Sequence, residues 1–260
     1  MEGICKLCKL PKNLRRSHIL PEFMYQNVYD KDPKRFYTLN LDLGEIDRSN
    51  SRIEQKGIRE YLLCDTCEGK FAKWEDYAAE TLYGKRHGNK TYISKSSATP
   101  DKNYFFYDYS GFDYITFKLF LLSILWRLFI SNSFHTPEIH EDILERLRVA
   151  VLNEDPLDFD DFGCLVQVLF YKEGIIAGKF ILQPYMTGRN QDILNIAVDG
   201  FMFSFYLNSK DITVEQKEVF VNQNGKMQIL GRVIFNDEGL MHQLKAMQNF
   251  YIDNFNDDQG

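Results

Sequence analysis

Apolar residues in this chain change rhythm several times, and each change marks a different kind of element. Residues 14 to 19 and 60 to 64 carry the short β-favouring pattern of strands, whereas 65 to 83 repeats its apolar positions at the spacing of a helix. Between them, Pro21 to Tyr29 suits a short helix, and the polar stretch Asp30 to Gln55 reads as loop with room for a minor hairpin. Gly84 to Asn103 is rich in Gly, Lys, Ser and Asn and ends on Thr99-Pro100-Asp101, which places a division of the chain into residues 1–97 and 98–260, with few contacts crossing it.

The second part opens with an apolar helix near 112 to 132. A second helix follows near 137 to 153, with Thr136 as N-cap and Pro137 in the first helical position, so the pair reads as an antiparallel hairpin. Runs rich in Val, Ile, Phe and Tyr then predict strands at 163–171, 175–184, 193–198, 200–207, 216–223 and 227–235, and Asn224-Gly225 reads as a tight connection between the last two. A closing helix at 238–252 would cover one face of the sheet. The expected fold class is α+β: a small N-terminal module, a helical hairpin, and a mostly antiparallel sheet with a C-terminal helix.

Composition narrows the class further. The chain has 260 residues, 44% of them apolar and 15% aromatic, enough to build a sizeable core and too apolar for a disordered chain. Phe112 to Ser131 is the one stretch that invites comparison with a membrane span. Lys118 and Arg127 interrupt it, and the clean run from Leu119 to Trp126 is far shorter than the roughly 20 residues a spanning helix needs. Met1 to Arg16 is basic and lacks an apolar signal-peptide core, so the expected compartment is a reducing cytoplasm and no membrane partner is implied.

Charge divides unevenly. Residues 1–97 hold 18 Lys and Arg against 14 Asp and Glu, while the rest of the chain carries an acidic excess that brings the total to −6. Lys6, Lys9, Lys12, Arg15 and Arg16 cluster near His18, a face suited to a phosphate backbone or simply to solvent. The acidic part is a candidate surface for a protein partner.

Cysteine spacing carries the strongest chemical signal. Cys5 and Cys8, then Cys64 and Cys67, form two pairs with the two-residue gap that lets each grip one metal from a tight turn. Four such thiolates select zinc, and a reducing compartment offers few other reasons for two such motifs. Cys164 sits inside the apolar run 163–170 and reads as a buried free thiol.

Cys5-x-x-Cys8, then Ser17-His18-Ile19-Leu20-Pro21, then Tyr61-Leu62-Leu63-Cys64-x-x-Cys67-Glu68 resembles the HNH, or ββα-metal, endonuclease pattern over about residues 1–83. The resemblance implies a structural zinc on the four cysteines. It makes His18 the general base that activates water and gives Glu68, with Ser17, a share in holding a catalytic Mg²⁺ or Mn²⁺. It further implies hydrolysis of DNA, with RNA as the lesser alternative, and a place in phage defence, as for stand-alone members of that family. Lys12, Arg15 and Arg16, with Lys70 and Lys73 on the helix, would then meet nucleic acid. Two departures stand out: Ser17 occupies a position where the family places Asp, and Glu68 one where it places Asn. His18 also fits a buried histidine anchoring the loop at Pro21, and Glu68 a first-turn carboxylate favoured by the helix dipole. A catalytically inactive zinc-binding adaptor is the alternative that these residues leave open.

Overall fold

A computed structural model describes residues 1–30, 34–42, 45–84, 92–98, 104–172, 175–176, 180–188, 190, 192–208 and 212–233. In chain order the strands and helices are β1 (Glu2–Ile4), β2 (Pro11–His18), β3 (Phe36–Asp42), β4 (Glu45–Glu54), β5 (Arg59–Cys64), α1 (Asp65–Tyr83), β6 (Tyr92–Ala98), β7 (Tyr104–Ser110), α2 (Tyr114–Ile130), α3 (Glu141–Asn153), β8 (Cys164–Lys172), β9 (Ile175–Ile176), β10 (Tyr185–Thr187), β11 (Ile193–Val198), β12 (Phe201–Tyr206), α4 (Val214–Glu218) and β13 (Lys226–Val233). A 3₁₀ turn, Glu22–Tyr25, follows β2. The fold is α+β, as the pattern of apolar positions predicts.

Three strands in the order β1-β2-β5 form a small antiparallel sheet. Its β2–β5 pair carries a β-bulge between Arg15 and Arg16. Strand β5 runs directly into α1, which ends on Gly84 at φ 62°, a left-handed cap that glycine adopts freely. Helix α1 buries Cys67, Phe71, Trp74, Ala78 and Leu82, the stripe of a helix with one covered face. A separate hairpin, β3–β4, occupies the stretch expected to be loop with a minor hairpin.

The larger sheet runs β10-β11-β12-β8-β13-β7-β6, with β9 beside β8. Its pairs are antiparallel except β8 with β13. Strand β6 pairs with β7, so residues just before position 98 already belong to this sheet. At the β11–β12 turn, Asp199 and Gly200 both have positive φ, the geometry that Asp-Gly supplies in a two-residue hairpin.

Helix α2 packs against α1 and α3 and is buried on nearly every side, which is how a helix apolar all round must be placed in a folded core. Asp113 caps it by accepting hydrogen bonds from the Ile115 and Thr116 amides. Phe71 of α1 meets Trp126 of α2 edge-on at 6.2 Å. The expectation of few contacts across the two parts is therefore corrected. The α1 stripe has to cover α2, and polar contacts follow: Arg127 with Glu75, Arg148 with the Leu7 carbonyl, and Tyr83 with Asp199.

Other expectations change in detail. Helix α3 begins at Glu141, with His140 Nδ1 accepting from the Asp142 amide, while Thr136 donates its hydroxyl to the Leu128 carbonyl and is no cap. The strand expected at 216–223 is replaced by α4. Helix-favouring Glu, Gln and Lys outvote Val219-Phe220-Val221, of which Phe220 and Val221 follow the helix as buried residues. The strand expected at 175–184 is reduced to β9, a bridge from Ile181 to Val198, and the separate β10. The helix expected at 238–252 lies outside the described residues.

Glu60 on β5 locks the end of α2 in place. Its carboxylate accepts from the Ser131 hydroxyl at 2.6 Å and from the Asn132 and Ser133 amides. Burial pushes its pKa up, yet these donors win and hold it below the ordinary 4.5. The unfolded chain thus takes up the proton first, so this contribution to stability is complete above about pH 4.5 and is lost as pH falls through the lowered value. Replacing Glu60 with Gln is expected to flatten the acid limb of stability in urea melts from pH 6 down to 3, on the order of those pKa ranges; an unchanged acid limb would remove Glu60 from that role.

Candidate metal centre and adjoining polar site

The two cysteine pairs come together because one sits in the β1–β2 turn and the other where β5 becomes α1. The Cys5 amide donates to the Leu10 carbonyl and the Lys9 amide returns to the Cys5 carbonyl, closing a tight knuckle whose Lys9 has φ 59°. Lys6 then donates its amide to Leu62 on β5, fastening the knuckle to the second pair. All four sulfurs lie within 4.8 Å of one another. A tetrahedral zinc with bonds near 2.3 Å sets its sulfurs about 3.8 Å apart, so small side-chain adjustments suffice. The donor set is all thiol, mostly buried, and fits a metal ion such as zinc.

Local electrostatics favour thiolate at one corner of this set. Burial pushes Cys5 upward, but amides of Cys8, Cys64 and Leu7 directed at its sulfur bring it down to about 7. Burial, joined by the neighbouring sulfurs, pushes Cys67 upward. One corner prepared as thiolate and another resisting charge is a set that needs a cation to ionise fully.

Beyond the knuckle, the bulge decides which way the end of β2 faces. Ser17 is fully buried and donates its hydroxyl to Glu68 Oε2 at 2.7 Å, facing α1. His18 comes next in the strand and takes the opposite face. Its Nε2 lies 3.1 Å from Glu22 Oε2, close enough for an ion pair but without the alignment of a hydrogen bond. The imidazole therefore has Glu22 as its acidic neighbour, and Glu68 belongs to Ser17. Glu22 is itself tethered by the Tyr29 hydroxyl, Lys34 and the Gly57 amide, which hold it below its ordinary range despite burial. Burial, with Arg59 and Arg127 nearby, lowers the His18 pKa against the opposing pull of Glu22, leaving the ring neutral near pH 7.

Arg127 joins the elements behind this site. Almost wholly buried in α2, it donates to the His18 carbonyl at 2.8 Å and to Glu75 Oε1 at 2.7 Å, and it also reaches Ser123. One guanidinium thus fixes the end of β2, the middle of α1 and its own helix. Burial, with the Glu68 and Asp76 carboxylates, pushes Glu75 upward against the pull of Arg127.

The candidate basic residues scatter. Lys12, Arg16 and Lys73 are exposed, on β2 and α1. Arg15 makes a forked pair with Asp65 at 2.5 and 2.8 Å. Lys70 is turned toward the end of α3, donating to the Leu152 carbonyl at 2.8 Å and pairing with Glu154 at 3.0 Å. Sequence reasoning passed over Glu22, Glu75, Arg59 and Arg127. Glu22 stands four residues after His18 and could have been noticed by that spacing, whereas Arg127 registers in the sequence only as a charge that interrupts an apolar helix.

Compared with known proteins, the chain matches no family model, no curated protein and no solved structure. No helix among the described residues is long and apolar enough to cross a membrane.

Proposed function

We propose that the chain is a metal-dependent, HNH-like endonuclease that hydrolyses phosphodiester bonds of DNA, with Cys5, Cys8, Cys64 and Cys67 holding a structural zinc. The contact between Ser17 and Glu68 at 2.7 Å carries this reading. These are the two positions to which the family resemblance assigns the catalytic ion; they meet on the inner face of β2 next to the four-cysteine scaffold, while His18, the next residue, faces the other side of the strand. A hydroxyl and a carboxylate are oxygen donors, the chemistry that Mg²⁺ or Mn²⁺ prefers. Such an ion supplies charge stabilisation for the phosphate and the departing oxygen.

His18 has the proton-accepting role. A neutral imidazole can take a proton from water near pH 7, and with Nε2 turned toward Glu22, Nδ1 is the nitrogen left to receive it. Arg127 fixes the backbone of that residue by gripping its carbonyl. The link to phage defence rests on the resemblance alone.

The test is cleavage of plasmid, single-stranded DNA and RNA with Mg²⁺ or Mn²⁺. His18→Ala is expected to lower the rate by about 10²- to 10⁴-fold with zinc content and melting temperature preserved. Equal rates for wild type and variant would remove His18 from the reaction.

The second reading is a zinc-binding adaptor without catalysis. One observation favours it: Glu68 is bonded to Ser17 while His18 turns to Glu22 on the opposite face, so the imidazole and that carboxylate do not share a pocket. It expects no cleavage with any ion, while a nucleic acid or protein partner still binds.

A further inference from the structure

Strand pairing places a second set of residues beside His18 that no motif singles out. Across β2 and β5, Arg16 is opposite Tyr61, Ser17 opposite Glu60, and His18 opposite Arg59. Residues opposite each other share a face, and faces alternate along a strand. The Ser17–Glu60 pair points inward, as its bonds to α1 and to the end of α2 show. The flanking pairs therefore share the outer face, which carries Arg16, Tyr61, His18 and Arg59 in one short strip.

Three properties of this strip converge. Tyr61 leaves 47% of its surface open to solvent, an uncommon exposure for a ring that no neighbour demands. Arg16 is exposed and forms no ion pair among the described residues. Arg59 is half-buried, with its Nε–H shut off from solvent and facing no acceptor among the described residues. A buried guanidinium donor without an acceptor is costly, and a bound anion would relieve it. The acid close to the strip, Glu22, is already paired with Lys34 and its other tethers, so the strip's balance stays cationic.

We propose that the outer face of the β2–β5 ribbon is the bed for a nucleic-acid strand: Arg59 takes the phosphate next to His18, Arg16 takes a neighbouring phosphate, and Tyr61 packs against a base or sugar between them. Two arginines separated by an exposed ring match an alternation of charged backbone and flat base. This inference rests on the nucleic-acid reading above, and it does not require cleavage. It also moves the contact surface away from Arg15 and Lys70, which their own carboxylate partners occupy.

The experiment uses the full-length, zinc-loaded protein and short fluorescein-labelled DNA and RNA, titrated by anisotropy without added Mg²⁺ or Mn²⁺ over a range of salt. Arg59→Ala is expected to weaken binding about tenfold and to reduce the slope of log affinity against log salt by about one. Arg59→Lys should regain part of the affinity through its charge, and Tyr61→Ala should cost about tenfold with the salt slope unchanged. Should Arg59→Ala fail to fold, Arg16→Ala and Tyr61→Ala, both at exposed positions, carry the test. Unchanged affinity and slope in the folded variants would overturn the assignment, as would equally tight binding of polyglutamate in place of nucleic acid. Binding lost in Arg59→Ala while wild type never cleaves keeps this surface and removes the nuclease; cleavage by wild type with unaltered binding in Arg59→Ala does the reverse.

Discussion

Chelating the metal, or replacing Cys64 with Ser, is expected to collapse the N-terminal sheet and to lower the melting temperature of the whole chain. The sheet β1-β2-β5 is small and β1 has only three residues, so ordinary burial gives it little. Four inward-facing thiols around a common centre would leave a soft, polar hole in the middle of that module without a cation. Apparent zinc binding in small thiolate sites is worth about 10–16 kcal/mol at neutral pH, comparable with the roughly 5–15 kcal/mol that holds an entire domain. The loss should not stay local. Arg148 of α3 grips the Leu7 carbonyl inside the knuckle, and α1, whose first turn contains Cys67, covers α2. Metal analysis by mass spectrometry alongside thermal unfolding and amide exchange checks this. A metal-free protein that keeps its melting temperature and its protection in β2 and α1 would contradict a structural metal.

Arg127→Ala is expected to destabilise the fold by about 3–5 kcal/mol, because it strands a mostly buried Glu75 and unbinds the His18 carbonyl in one step. Arg127 is 1% exposed, so solvent cannot screen its pair with Glu75 as it would a surface bridge. Urea denaturation measures the loss. The double variant Arg127→Met with Glu75→Leu should be markedly less destabilised than Arg127→Ala, since no uncompensated charge is left inside. Additive losses would mean that the two residues act separately. Where Arg127→Ala remains folded, cleavage should drop as well, through the loosened backbone at His18.

Much of this could be read from the chain, for local reasons. The cysteine gaps encode knuckle geometry within a few residues, and the spacing of Cys67, Phe71, Trp74 and Ala78 encodes one buried helix face. Helix α2 was equally clear from its apolar run, but that run gave no role to Arg127, whose partners on other elements, His18 and Glu75, lie fifty and more positions away. Side-chain partnership across the fold was the illegible part. Glu68 and His18 read as neighbours because the motif places both near one knuckle, yet strand alternation sends Ser17 to Glu68 and His18 to Glu22. Lys70 read as a free cation because the C-terminus of α3 that accepts it is remote in sequence. At 214–218 the helix-forming polar residues were outweighed in the reading by the apolar residues after them.

The irregularity between Arg15 and Arg16 makes the site a matter of odd and even. Counting by twos inward from Leu14 would put Arg16 against the helix, Ser17 in water and His18 indoors; the one extra residue, Leu62 on the facing strand β5, sits unpaired where that order reverses. Deleting Leu62 would restore the even count and exchange the roles of hydroxyl and imidazole without altering either residue.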